Sequence, residues 1–254
     1  MSRAWEAAQA TATALLVVFL ALPIVALATT LGWSGLGAGF RNPLLGPALR
    51  LSALTTSCSL LLVVTLGTLL SWRLARRPSP LLESIAQLPA VIPPAVAGVG
   101  LLLAFGRRGL LGGFLDHHGI ALAFSTPAVV LAETFVSAPF FIQAAIAAFR
   151  RVDENTLVVA RTLGATPFGA FRRVALPLAA PGLAAGAAMS WARSLGEFGA
   201  TLLFAGNLTG RTQTLPLAVY TAMESDLRGA QALSLVMVGL ALLVLLVVRR
   251  VQRA

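Results

Sequence analysis

Residues 152–177 read VDENTLVVARTLGATPFGAFRRVALP, a polar segment that lies between two long apolar runs. Asp153 is a good helix-capping residue and Gly164 tolerates a left-handed turn, so a first short helix is predicted between them. The pair Thr166-Pro167 is typical of a cap followed by the first residue of a second short helix, which we expect to stop before Pro177. A connection this well organised is typical of a surface that docks a partner.

The composition places the rest of the chain in a membrane. Of the 254 residues, 57% are hydrophobic and 11% are charged, and the mean hydropathy is +0.86. A soluble domain of this size could not cover that much apolar surface. Six apolar runs approach or exceed the roughly 20 residues that a spanning helix needs. They cover residues 13–31, 51–72, 86–105, 121–149, 181–204 and 230–248. The predicted fold is an all-α polytopic membrane protein, one domain over residues 1–254, with six transmembrane helices and a cytoplasmic two-helix loop at 150–180.

Two of the six runs are irregular. Pro89, Pro93 and Pro94 interrupt the third, and such breaks survive in lipid where protein or water satisfies the freed backbone groups. We therefore expect the third span to lie inside the bundle. The fourth run is over-long and contains Pro127, so its first residues are expected in the interface or in a tilted extension.

The arginines give the orientation. All 19 basic residues are arginine, and a cytoplasmic N-terminus places twelve of them on the cytoplasmic side and six on the other, with Arg193 inside a span. This bias follows the positive-inside rule, with both termini and the loop at 150–180 in the cytoplasm. Contact with anionic lipid accounts for the net charge of +10, so nucleic acid is not a predicted partner.

Several kinds of chemistry are disfavoured by the same composition. A chain without lysine has no Walker A phosphate loop and no Schiff base, so nucleotide hydrolysis through a P-loop of its own is not predicted. Nothing else in the sequence indicates an enzyme. His117 and His118 lie in an outer loop with only Asp116 nearby, and we interpret them as solvated residues. No metal site and no cofactor are predicted in this chain.

Three ionisable residues lie within spans, where charge is costly. Glu133 is near the middle of the fourth span, and Arg193 and Glu197 are four residues apart in the fifth. One interpretation makes Arg193 a cationic residue of an anion pathway. The favoured alternative is a structural ion cluster in which Glu197, Glu133 or both neutralise Arg193 and hold two spans together. Gly196 and Gly199 flank Glu197 and leave room for a pathway or gate.

The polar loop resembles the EAA loop of permeases in bacterial binding-protein-dependent ABC importers. In that family the loop forms coupling helices that sit in a groove of the cytoplasmic ATPase subunit. The match departs from the family pattern at Val158 and Val159, where the family has Glu and Ala, and Glu154 one turn earlier is a candidate substitute. The coupling residues that the resemblance implies are Glu154, Ala160, Arg161, Gly164, Ala165, Val174, Leu176 and Pro177.

A second resemblance indicates one branch of this permease family. RSLGEFGAT at 193–201 and GRTQTLP at 210–216 are similar to molybdate permeases, although sulfate permeases share the Gly-Glu-aromatic-Gly core. The resemblance implies a bacterial inner-membrane homodimer, two ATPase subunits that bind ATP and Mg, and an extracytoplasmic oxyanion-binding protein. The implied pathway and gate residues are Arg193, Gly196, Glu197, Gly199 and Thr201. The residues expected to face the delivering protein are Asn207, Arg211, Thr212 and Thr214.

Other functions remain open from the sequence. Within the same family the substrate could be tungstate, or sulfate and thiosulfate. A secondary transporter would be longer and would show an inverted repeat. A non-transporting structural subunit would not require so well formed a docking loop. The favoured hypothesis is a permease subunit that couples ATP hydrolysis by a separate chain to oxyanion import, with molybdate as the substrate.

Overall fold

A computed structural model describes the chain over residues 3–253, and the described part is built from helices. The termini themselves, Met1, Ser2 and Ala254, lie outside the described residues. The twelve α-helices are α1 (Arg3–Phe40), α2 (Leu45–Arg76), α3 (Pro80–Val91), α4 (Pro94–Phe105), α5 (Gly112–His117), α6 (Thr126–Arg150), α7 (Glu154–Thr162), α8 (Pro167–Ala170), α9 (Leu176–Leu195), α10 (Gly199–Ala205), α11 (Leu215–Ser225) and α12 (Leu227–Arg253).

Five helical stretches are long and apolar enough to cross a bilayer, and the pair α3–α4 makes a sixth crossing if it is counted as one broken span. The two halves of this pair meet at an angle of 115°. The prediction of an all-α membrane protein with six spans is thereby confirmed. The α6 helix is central, since it packs against α2, α3, α9 and α10.

The third span is broken as expected, but the expectation that it lies inside the bundle is wrong for α3. This half has no buried residue, and Leu81 and Val91 are strongly exposed. Pro93 and Pro94 have no N–H, so the carbonyls of Pro89 and Ala90 lose the donors that a continuous helix would give them. The Ile92 N–H still donates to Leu88 O at 3.1 Å. The reason for the exposure is that α3 packs chiefly against one helix, α6.

The fourth apolar run, 121–149, was expected to have its first residues in the interface or in a tilted extension of the helix. Residues 121–125 are not helical, and α6 begins at Thr126 with Pro127 in its first turn. The Ser125 hydroxyl caps this start by accepting from the Ala128 N–H at 3.4 Å. A capping serine followed by a proline in the first turn is a strong start signal, so the first residues of the run are not a helical extension of the span.

The prediction that the second short helix stops before Pro177 is wrong as well. A π-helical turn at residues 171–175 joins α8 to α9, and the helical chain runs on to Leu195. In this turn the Leu176 N–H bonds to Phe171 O, five residues back, instead of four. Pro177, at the second position of α9, donates no hydrogen bond and therefore fits where the bonding pattern changes.

The fifth span is divided. The predicted run at 181–204 is interrupted at residues 196–198, between α9 and α10. The first part of the span, α9, packs closely on α6. A Cβ added at Gly182 would lie 2.6 Å from an alanine methyl of α6, and one added at Gly186 would lie 2.8 Å from another. Small residues at four-residue steps thus allow the close approach of two membrane helices.

Side-chain and backbone contacts sort the helix ends into two groups. At one end, Arg76 at the end of α2 donates to the carbonyl oxygens of Phe149 and Val152, where α6 ends. At the other end, the Phe124 N–H before α6 donates to Phe204 O at the end of α10. We call these the coupling end and the opposite end. Residues 152–177 lie at the first, and the loop between α10 and α11 lies at the second.

Candidate functional site

The polar loop at the coupling end forms two capped helices. An Asp153 carboxylate oxygen accepts from the Asn155 N–H at 3.2 Å at the start of α7. The Thr166 hydroxyl accepts from the Gly169 N–H at 3.0 Å at the start of α8. Between them Gly164 has φ +92°, and the Ala165 N–H returns to Ala160 O at 3.0 Å. The expected cap and left-handed turn are both present, so the loop is fixed by its own backbone and caps.

Burial separates an anchoring side of this loop from an exposed side. Leu157 and Ala170 are buried against Phe149 and Val152 at the end of α6. The large apolar side chains on the exposed side have exposed fractions of 51%, 56%, 83% and 68%; they are Val158, Val159, Leu163 and Phe168. We call these four residues the docking face. An apolar face held on a rigid base, at one end of a membrane bundle, is suited to seating in a partner's groove.

The eight predicted coupling residues divide between these two sides. Glu154, Arg161, Gly164 and Pro177 are exposed. The other four are half-buried toward the bundle; they are Ala160, Ala165, Val174 and Leu176. Leu163 and Phe168 are exposed as well and were not among the predicted coupling residues, although the sequence places Phe168 on an apolar face of the second short helix. Their signal was that they are the large apolar residues on either side of the Gly164 turn.

The charge pair of the fifth span lies at the break between α9 and α10. Arg193 Nη2 is 2.9 Å from Glu197 Oε2, and the Glu197 side chain is 1% exposed. This contact is an ion pair without the alignment of a hydrogen bond, since no N–H points at Oε2. Glu197 Oε1 accepts from the Ala200 N–H at 2.8 Å. One carboxylate therefore ties the last turn of α9 to the first turn of α10.

Glu133 is not part of this pair. Its Oε1 atom accepts from the Thr55 hydroxyl of α2 at 2.9 Å, and the residue is 2% exposed. Among the described side chains, Arg193 pairs with Glu197 and not with Glu133. The predicted cluster of Glu133, Arg193 and Glu197 is therefore corrected to one ion pair and one separate hydrogen bond. The reason is that α2 lies against α6 on the side that Glu133 faces.

The predicted gate residues surround the same break. Gly196 follows the end of α9 at Leu195, and Gly199 begins α10. A Cβ added at Gly199 would lie 3.0 Å from Pro94 Cβ, so the break in the fifth span touches the break in the third. Thr201 is buried, and its hydroxyl has no hydrogen-bond partner among the described residues. The structure brings these residues together and leaves Arg193 neutralised.

The loop at the opposite end differs from its prediction. Arg211 is exposed and Asn207 is half-buried, but Thr212 and Thr214 are buried. The Thr212 hydroxyl accepts from the Leu208 N–H at 2.9 Å, and Gln213 Nε2 donates to Asn207 Oδ1 at 3.0 Å. The expectation that Thr212 and Thr214 face a delivering protein is wrong, because both side chains are buried. The Thr212 hydroxyl is used within the loop, and the Thr214 hydroxyl has no hydrogen-bond partner among the described residues.

The chain matches a known family over residues 64–254, described as the binding-protein-dependent transport system inner membrane component. It is 46% identical to a molybdenum transport system permease protein of Mycobacterium tuberculosis, over 91% of this chain and 88% of that protein. For the permease of the same description from Escherichia coli K12, the identity is 40% over 79% and 90%. A sulfate transport system permease protein of Synechococcus elongatus is 35% identical over 91% and 83%.

The fold has solved counterparts. A chain of a bacterial alginate ABC transporter, crystallised in complex with a periplasmic protein bound to an alginate pentasaccharide, superposes with a TM-score of 0.77 at 18% identity. The superposition covers 98% of this chain and 95% of that one. A chain of the MetNI methionine ABC transporter gives a TM-score of 0.59 at 19% identity. Since the family model covers residues 64–254 and the identity to curated permeases reaches 46%, the chain belongs to the binding-protein-dependent transport system inner membrane component family.

Proposed function

We propose that this chain is the permease subunit of an ATP-driven importer of a tetrahedral oxyanion, and that the oxyanion is molybdate. The observation that carries the coupling role is the docking face, four exposed apolar side chains on a loop that is anchored to the end of α6. The identity to molybdenum permeases of two organisms supports the substrate, and it exceeds the identity to the sulfate permease.

The assembly follows from this role. ATP and Mg bind to separate ATPase subunits, each of which receives one docking face in a groove. Two copies of this chain form the translocation path between them, and an extracytoplasmic protein delivers the anion at the opposite end. The coupling end faces the cytoplasm, an orientation that the distribution of the arginines supports. Fine discrimination between oxyanions rests in the delivering protein, because a path must bind its substrate weakly enough to release it.

A deletion strain tests the substrate. We expect loss of the gene to lower the activity of molybdenum-dependent enzymes, millimolar external molybdate to restore it, and sulfate assimilation to be unchanged. The matched control is the same strain carrying an intact copy. If the deletion strain requires a sulfur source other than sulfate but has normal molybdoenzyme activity, the substrate is sulfate and not molybdate. The proposed coupling role would be unaffected.

A further inference from the structure

A continuous group of aromatic rings connects the docking face to the ends of two spanning helices. Phe168 is 68% exposed on the docking face, and its ring centroid is 6.4 Å from that of Phe171 in the π-helical turn. Phe171 in turn lies 5.1 Å from Trp72 at the end of α2 and 6.1 Å from Phe149 at the end of α6. We call these four rings the aromatic stack.

Three of the four rings, those of Trp72, Phe149 and Phe171, contact one another. Trp72 and Phe149 meet edge to face, with centroids 5.3 Å apart and planes at 73°. This is a favoured arrangement for two rings, and Phe149 is completely buried. Phe171 therefore touches both spanning helices at once, so a shift of this ring cannot be absorbed by one helix alone.

Arg76 joins the stack to the backbone at the end of α6. Its guanidinium carbon lies 4.8 Å from the centroid of the Trp72 ring. The same side chain donates through Nη2 to Phe149 O at 3.3 Å and to Val152 O at 3.0 Å. These carbonyls are at the end of α6, where a helix leaves its last acceptors unpaired and its dipole attracts a cation. Arg76 thus holds α2, α6 and the start of the coupling loop in one register.

Building on the proposed function, we propose that the aromatic stack carries the displacement of a docked coupling loop to α2 and α6, with Arg76 as its positioning residue. Packed interiors resist compression and pass a displacement on to their neighbours. When the ATPase subunits move Phe168, Phe171 pushes against Trp72 and Phe149 together. The two helices then move as a rigid pair, and the response does not depend on a chemical step in this chain.

The test uses the whole transporter, reconstituted with its ATPase subunits and delivering protein in lipid vesicles. Trp72→Leu removes the central ring, and Trp72→Phe retains an aromatic one. Phe105→Leu is the matched control, because Phe105 packs on Phe204 at the opposite end with centroids 6.4 Å apart. The readouts are retention of the ATPase subunits, the rate of ATP hydrolysis, and the molybdate taken up per ATP.

We expect Trp72→Leu to retain its ATPase subunits but to lower the molybdate taken up per ATP by about fivefold or more, the scale of a coupling free energy between sites. Trp72→Phe should recover most of this loss, and Phe105→Leu should keep the normal ratio. A normal ratio in Trp72→Leu would overturn the proposal. Loss of the ATPase subunits from Trp72→Leu would also overturn it, because the stack would then build the docking face and not transmit its motion.

Arg76→Lys supplies a second variant in case Trp72→Leu does not fold. It keeps the positive charge that the topology needs, but it lacks the planar guanidinium that lies over the Trp72 ring while Nη2 bonds both carbonyls. We expect the same fall in uptake per ATP, and an unchanged ratio would count against the positioning role. Leu163→Asp separates the two proposals, since Leu163 is on the docking face and outside the stack. Retained ATPase subunits in Leu163→Asp would contradict the proposed function itself.

Discussion

Glu197 and Arg193 form an ion pair at the break of the fifth span, with 2.9 Å between Oε2 and Nη2, in which Glu197 is buried and Arg193 is 27% exposed. Glu197 also accepts a hydrogen bond from the Ala200 N–H at the start of α10, so both of its carboxylate oxygens contact groups of the protein itself. The arginine beside it has little net charge to offer a passing anion. The pair is therefore best understood as a brace between two half-helices, and it gives the first prediction.

Arg193→Gln should destabilise the protein by about 3–5 kcal/mol, because it leaves the Glu197 carboxylate buried without its cation. The double variant Arg193→Gln with Glu197→Gln should recover most of that stability, since no unpaired charge remains. Unfolding in detergent measures both. If Arg193→Gln unfolds like the parent but fails to transport, then Arg193 serves the pathway and the brace is not its main role.

A second prediction concerns Glu133 and its partner Thr55. Thr55→Val should cost about 1–3 kcal/mol, because it removes the hydroxyl that Glu133 accepts from and leaves a buried polar group unpaired. Glu133→Gln should be milder, since an amide oxygen can still accept from Thr55. In a Glu133→Leu background, Thr55→Val should have almost no effect on the free energy of unfolding. An equal cost of Thr55→Val in both backgrounds would show that the two side chains do not interact.

Two glycines of α4 provide a matched pair for a third prediction. A Cβ added at Gly98 would lie 2.9 Å from the backbone of Ala200 in α10, whereas a Cβ at Gly100 meets nothing within 4 Å. Gly98→Ala should therefore destabilise the protein by about 1–3 kcal/mol through overpacking. Gly100→Ala should be neutral or slightly stabilising, because alanine is the better helix former. Similar unfolding temperatures for the two variants would contradict the close contact of α4 and α10.

Gly164 gives a fourth prediction. Its φ of +92° disfavours a β-branched residue although the space around it is open, so Gly164→Val should strain the turn by about 1–3 kcal/mol. We expect this variant to lose its ATPase subunits or to hydrolyse ATP without uptake, and Gly164→Asn to be milder. Co-purification of the ATPase subunits and uptake are the measurements. Normal values of both for Gly164→Val would show that the left-handed turn is not needed for coupling.

The sequence predicted the class of fold because it depends on local signals. The apolar runs, the cap at Asp153 and the left-handed glycine at Gly164 are each decided within a few residues of the chain. The π-helical turn before Pro177 was missed, because a proline is compatible with both the end and the first turn of a helix.

The candidate site was predicted less completely because it depends on contacts between distant segments. Glu197 and Arg193 are four residues apart, so their pairing could be anticipated from spacing alone. The bond from Thr55 to Glu133 joins residues 78 apart in the chain, and no periodicity identifies it. The burial of Thr212 and Thr214 also depends on distant contacts, since the adjacent Leu215 N–H donates to the Ser52 hydroxyl of α2, 163 residues away in the chain.

The central claim is that the docking face couples this permease to an ATPase that drives molybdate import. The most direct measurement is radioactive molybdate uptake into vesicles that contain the reconstituted transporter, with ATP supplied at the coupling end. We predict uptake that requires both ATP and the delivering protein, that excess sulfate does not abolish, and that Leu163→Asp eliminates together with the bound ATPase subunits. ATP-driven uptake of equal size in Leu163→Asp would contradict the account.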